Sequence, residues 1–85
     1  MNKNVIQILV EEGAVKKVKI VADGAAFHVD VVTNTGSTTA TTLAGSIKTW
    51  ATLDSAARWV RSLGLGKAQL ELTNWQPGQK ALNLQ

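Results

Sequence analysis

Between Val18 and Val29 the chain reads VKIVADGAAFHV, two β-prone runs on either side of an Asp-Gly pair. Asp-Gly in that setting is a strong short-range signal for a two-residue hairpin. Counting outward from Asp23 and Gly24 sets Ile20 opposite Phe27 and Val18 opposite Val29 on one face. Lys19 then lies opposite His28, and Lys17 opposite Asp30, on the other. One face is apolar and the other polar, so the sheet needs a cover on one side only.

Further strands are expected on both flanks. Val5 to Val10 is rich in β-branched residues and is followed by Glu12-Gly13-Ala14, which reads as a hairpin loop with glycine free to take positive φ. That pairing sets Ile8 against Val18 and Ile6 against Ile20. On the other flank, Thr33-Asn34-Thr35-Gly36-Ser37 reads as a turn, and Thr38 to Leu43 as a fourth strand whose register is open by one residue.

The cover is TWATLDSAARWVRSLGLG, residues 49–66. Thr52 is placed to cap a helix, Asp54 complements the dipole in its first turn, and Gly64 stands at its C-terminal end. Leu53, Ala56, Ala57, Val60 and Leu63 share one stripe at helical spacing, and Arg58, Arg61 and Ser62 point away. Trp59 lies at the stripe's margin, while Trp50 precedes the cap. Lys67 to Thr73 alternates, with Ala68, Leu70 and Leu72 on one side, and reads as a fifth strand. The expected fold is therefore α+β: an antiparallel β-meander with one helix packed on one face, in the order β-β-β-β-α-β. Residues 1–85 form a single domain, of which 74–85 are an irregular tail.

Composition narrows the chemistry. The 85 residues contain no cysteine and one histidine, which excludes disulfide frameworks, thiolate chemistry and ordinary zinc sites, so no metal or cofactor is expected. His28 falls on the polar face without a nucleophile assigned beside it, Glu11 and Glu12 read as turn charges, and Asp30 has a bland partner in Lys17. Gly64-Leu65-Gly66-Lys67 follows a helix and precedes a strand, the reverse of a phosphate-binding P-loop. The chain reads as a nonenzymatic protein. Its apolar run at residues 5–10 is shorter than a signal-peptide core or a membrane span, so the expected compartment is the cytoplasm, with no membrane partner.

Binding is the better-supported class. Nine Lys and Arg against six Asp and Glu give a net charge of +3, which permits contact with nucleic-acid phosphate. Lys17 and Lys19 on a strand, Arg58 and Arg61 on the helix, Lys80 in the tail, and Trp75 as a base-stacking ring are the candidate contacts. By the register above, Lys17 and Lys19 emerge on the side away from the helix, so the basic groups are divided unless a dimer reunites them. A chain this short has a limited core, and its six threonines between Thr33 and Thr42 form a weakly charged edge. A homodimer is therefore expected.

Thr52-Leu53-Asp54, Ala56-Ala57-Arg58, Leu63-Gly64 and Trp75-Gln76-Pro77 together make a pattern. In it the second half of the chain resembles a family of small plasmid and integrative-element proteins associated with partition, the ParC-like accessory proteins. The resemblance implies a nonenzymatic accessory role in plasmid maintenance and names no catalytic residue. Four strands followed by a helix also resemble, at fold level alone, the coactivator and Whirly-like binders of single-stranded DNA. The leading expectation is a DNA-associated accessory protein of plasmid maintenance, contacting single- or double-stranded DNA through its backbone. The alternative is a module without DNA binding, which self-associates or docks on a partition or replication protein.

Overall fold

The computed structural model describes residues 1–76. It confirms the α+β class and corrects its make-up. The elements run α1 (Lys3–Glu11), β1 (Val15–Gly24), β2 (Ala26–Thr33), β3 (Gly36–Thr39), α2 (Leu53–Ser62) and β4 (Gln69–Trp75). Two helices are present where one was expected, and the four strands lie in the order β3-β2-β1-β4. The β1–β2 and β2–β3 pairs are antiparallel, but β4 runs parallel to β1, so the sheet is mixed rather than a meander.

The largest correction is at the N-terminus, where the expected first strand is a helix. The Asn2 side chain accepts from the Val5 amide at 3.1 Å. At the other end, the Gly13 amide donates to the Val10 carbonyl and the Ala14 amide to the Leu9 carbonyl. With Gly13 at φ +72°, this is a Schellman closure. The glycine that suggested a hairpin loop thus ends a helix, because positive φ serves both purposes. Neither Ile6 nor Ile8 pairs with β1: Ile6 is fully buried and Ile8 is 54% exposed. Ile6 with the half-buried Leu9 and Val10 forms a narrow i, i+3, i+4 stripe. Burial of that stripe and the two caps hold the helix, since no acidic residue lies in its first turn and no basic one in its last.

The Asp23–Gly24 hairpin forms with its register moved by two residues. Ile20 pairs with Val29, Val18 with Val31 and Ala22 with Phe27, while Lys19 pairs with Asp30 and Val21 with His28. Gly24 and Ala25 are the central turn residues, with Gly24 at φ +65° and no non-glycine residue at positive φ among the described residues. Positive φ at the first central position alone is the type II′ pattern, not type I′. Because side chains alternate with period two, a shift of two leaves every residue on its expected face.

After the short β3, Ala40 is fully buried and its amide donates to the Val29 carbonyl, while Thr41 donates to the Met1 carbonyl. The expected fourth strand therefore ends early, and Thr42 to Ser46 is a tight turn carrying an exposed Leu43. Phe27 and Trp50 exchange backbone hydrogen bonds of 2.8 and 2.9 Å, which brings the chain back beside β2 before α2. Thr52 caps α2 as expected, accepting from the Ser55 amide at 3.2 Å, and Gly64 follows Leu63 at φ +92°. Of the expected stripe, Ala56, Val60 and Leu63 are buried, whereas Leu53 and Ala57 are exposed.

Both helices lie on one face of the sheet. Their Ile6, Ala56, Val60 and Leu63 join Val18, Ile20, Ala22, Phe27, Val29 and Val31 in one core. Gln7 Nε2 ties α1 to α2 by donating to the Leu63 carbonyl at 3.2 Å. Asn74 and Trp75, assigned to the irregular tail, belong to β4; the rest of that tail beyond Gln76, with Lys80, lies outside the described residues.

Candidate functional site

Among the described residues the helical cover stops short of β4. Leu70 pairs with Ile20 and Trp75 with Gly24 on the core side of the sheet, and Trp75 meets Phe27 with ring centroids 6.2 Å apart. A register shift between Val21 and Asp23 takes up one extra residue in β4 without changing this facing. The α2 helix rests on β1 and β2, so Leu70 and Leu72 keep 42% of their surface exposed and Trp75 41%. The alternation expected for Leu70 and Leu72 is real, but their enclosure is not, and the exposed Ala68 lies outside the strand.

Opposite sheet edges differ. At the Thr-rich edge, the Met1 amino group donates to the Thr39 carbonyl and the Met1 carbonyl accepts from Thr41, while Lys48 donates to Ala40. That edge is partly occupied by the chain itself. β4 is the outer strand at the other end, with one charged residue, Glu71, among its seven. Charge and self-coverage are the usual devices that blunt a strand edge, and among the described residues β4 carries little of either.

The candidate nucleic-acid contacts do not share a face. Lys17 and Lys19 alternate with the buried Val18 and emerge opposite the helices, whereas Arg58 and Arg61 sit on the outer side of α2. Lys19 Nζ lies 3.7 Å from Glu71, and Arg58 pairs with Asp54 at 3.0 Å on the exposed helix. Lys17 Nζ reaches the Gln69 side-chain oxygen at 3.5 Å. Trp75 packs against Phe27 and away from these cations, and Lys80 is not among the described residues.

The other two tryptophans are structural. Trp50 and Trp59 are 5.0 Å apart between centroids at 52°, with Lys48 Nζ 5.3 Å over the Trp50 ring. This fits the half-buried packing expected of Trp59 and ties the segment before α2 to the helix. On the polar face, His28 Nε2 lies 3.5 Å from Asp30, which accepts from the Thr39 hydroxyl at 2.8 Å. Asp30 pairs with Lys19 across the strands rather than with Lys17, and His28 lies opposite Val21.

Sequence reasoning missed one grouping. Lys16, Lys17 and Lys67 line a groove of about 710 Å³ between the start of β1 and the segment leading into β4. A bulge between Val15 and Lys17 was not legible in the run of lysines. Among the described residues, no cluster of three His, Cys, Asp or Glu could hold a metal, and no helix is long and apolar enough to cross a membrane.

The fold thus defines a small α+β domain with a mixed four-stranded sheet and two helices. No protein-family model, curated protein or solved structure matches the chain.

Proposed function

We propose that this protein is a nonenzymatic interaction module that self-associates through β4. The observation that carries the reading is the coincidence, on one outer strand, of a backbone edge unpaired among the described residues and the half-exposed Leu70, Leu72 and Trp75. A second copy related by a twofold axis extends the sheet by antiparallel β4–β4 pairing and places both apolar rows on the same side. Centring the axis on Glu71 opposes two carboxylates, which is unfavourable. Centring it on Leu70 or Leu72 sets Glu71 opposite the partner's Gln69 or the partner's Thr73, both neutral. The strand is therefore self-complementary in charge at its leucines.

This reading moves the association surface from the expected Thr-rich edge to β4, because the former is partly satisfied by Met1 and Lys48. It takes precedence over DNA-backbone contact by Lys17, Lys19, Arg58 and Arg61, which have no common face within one copy. A partition or replication protein as docking partner, and a role in plasmid maintenance, rest on the sequence resemblance alone.

Sedimentation equilibrium of the full chain from low micromolar to millimolar concentration is the test. A monomer–dimer equilibrium weakened by Leu72→Asp, with far-UV circular dichroism unchanged, is the expected result. A mass that stays monomeric throughout, or association unaffected by Leu72→Asp, would refute β4 pairing.

A further inference from the structure

We propose that the groove between the start of β1 and the Gly64–Ala68 segment binds a chain of phosphates. Three lysines line it: Lys16, Lys17 and Lys67. None of the described residues that line it is acidic. Among the described residues the ion pairs involve Lys19, His28 and Arg58, so none of these three lysines is paired with a carboxylate. The neighbouring Glu71 is held by Lys19 at 3.7 Å and by Gln69 Nε2 at 3.2 Å, and Lys17 has only the neutral Gln69 oxygen at 3.5 Å.

Backbone geometry builds this concentration of charge. In a regular strand Lys16 and Lys17 would point to opposite faces. The bulge between Val15 and Lys17 breaks that alternation, and both residues border the groove. Lys67 comes from the loop on the opposite wall and also borders an adjoining groove of about 270 Å³, where Arg61 lies. The Gly64–Ala68 segment thus carries Lys67 itself, with Lys16 and Lys17 bordering the groove on one side of it and Arg61 the adjoining groove. Field lines from like charges converge in a concavity with low-dielectric walls, here supplied in part by Val15 and Leu65.

Ligand class follows from the donors. Lysines are compact point charges without the planar fork that favours one bidentate carboxylate. A single carboxylate neutralises one ammonium, whereas linked phosphates spaced along a chain compensate several. Inorganic polyphosphate and the backbone of a nucleic-acid strand share this chemistry, and the experiment separates them.

The full chain, labelled with nitrogen-15, is titrated with sodium tripolyphosphate and separately with a short oligothymidylate, sodium chloride at matched ionic strength serving as the blank. Amide shifts are expected at Lys16–Val18 and Gly64–Gln69 with both probes. A Lys16→Gln, Lys67→Gln double variant weakens binding by roughly tenfold or more, since two of the three lysines that border the groove lose their charge. Arg58→Gln, already paired with Asp54, leaves it unchanged. Gly66 is not at positive φ, and a Cβ there meets nothing within 4 Å. Gly66→Leu therefore keeps the fold and the charges while filling the groove, and binding is lost.

Oligothymidylate binding that exceeds tripolyphosphate, with a log–log salt slope of about −2 for three neutralised phosphates on a single strand, identifies a nucleic-acid strand. Tripolyphosphate binding at equal or greater strength identifies a compact polyphosphate. No shifts with either probe at millimolar concentration, shifts reproduced by sodium chloride, or equal losses in Arg58→Gln would overturn the proposal. The Leu72→Asp chain retains the groove, so failure of β4 pairing and failure of anion binding are read separately.

Discussion

Ile6 and Ile8 give the sharpest test of how the N-terminal segment folds. In a strand they share a face two residues apart, and both would be buried against β1. In α1 they are separated by about 200° around the axis, and the structure buries Ile6 completely while leaving Ile8 54% exposed. Ile6→Ala removes three carbons from a closed site. At about 0.8 kcal/mol per buried methylene the transfer loss is about 2.4 kcal/mol, and a cavity contribution takes the total to about 3–4 kcal/mol. For a domain of this size each kcal/mol lowers Tm by roughly 4–8 °C, so Tm falls by about 12–32 °C.

Ile8→Asp removes a partly exposed side chain and places a carboxylate three residues from the end of α1. The expected cost is about 0.5–1 kcal/mol, mostly from the unfavourable interaction of a negative charge with the C-terminal half of the helix dipole. Ile8→Lys reverses that charge and is expected within about 0.5 kcal/mol of the parent. Urea denaturation followed by tryptophan fluorescence and far-UV circular dichroism, at low micromolar concentration to suppress association, measures all three. Comparable large losses in Ile6→Ala and Ile8→Lys would refute the helix and restore a strand. Loss confined to Ile6 supports the helical stripe, in which burial outweighs a dipole arrangement that offers no help.

Three further outcomes test the local devices of the fold. Thr52→Ala removes the oxygen that accepts from the Ser55 amide and should lower stability by about 1 kcal/mol in the same urea titration, with Thr52→Ser restoring it. Gly24→Ala puts a Cβ on a residue at φ +65° and should cost about 1–2 kcal/mol with no new steric contact involved, whereas Ala25→Gly should cost less. Gln7→Ala deletes the bond from Nε2 to the Leu63 carbonyl; a loss of about 1 kcal/mol is expected in thermal unfolding, with the backbone amides at the end of α2 exchanging faster with solvent.

Local chemistry made the central hairpin and α2 legible. Asp-Gly between β-branched runs specifies a turn, and although the turn moved by one position, the period of two protected the assignment of Val18, Ile20, Phe27 and Val29 to the core. Thr52, Ala56, Val60, Leu63 and Gly64 carry their roles in their own side chains and spacing. The N-terminal segment failed because its β-branched residues favour a strand while only three positions need burial, and Asn2 at its head is as good a cap as it is a turn residue. The direction of β4 was beyond local reading: a strand's alternation is the same whether its neighbour is parallel or antiparallel. The lysine groove depends on a bulge that compositional runs do not encode, since nothing in Lys16-Lys17 says which of the two breaks alternation.

That parallel edge has an energetic consequence. Full burial of a large apolar side chain contributes about 1.5–3 kcal/mol, and Leu70, Leu72 and Trp75 leave roughly two-fifths of their surface in water. The three residues thus retain about 2–4 kcal/mol of unrealised burial per copy. Two copies together offer about 4–7 kcal/mol, against an association cost of about 4–15 kcal/mol. Apolar contact alone consequently does not make a tight dimer. The backbone ladder has to contribute, at about 0.5–1.5 kcal/mol net for each hydrogen bond, which is why the proposed pairing runs edge to edge along β4 and not face to face through the leucines. In the pairing centred on Leu72, replacing Thr73 by Pro separates these contributions: it removes an amide next to the axis while leaving Leu70, Leu72 and Trp75 in place. If Thr73→Pro associates as the parent does and remains folded by circular dichroism, a ladder centred on Leu72 is not the source of the affinity and that geometry is wrong.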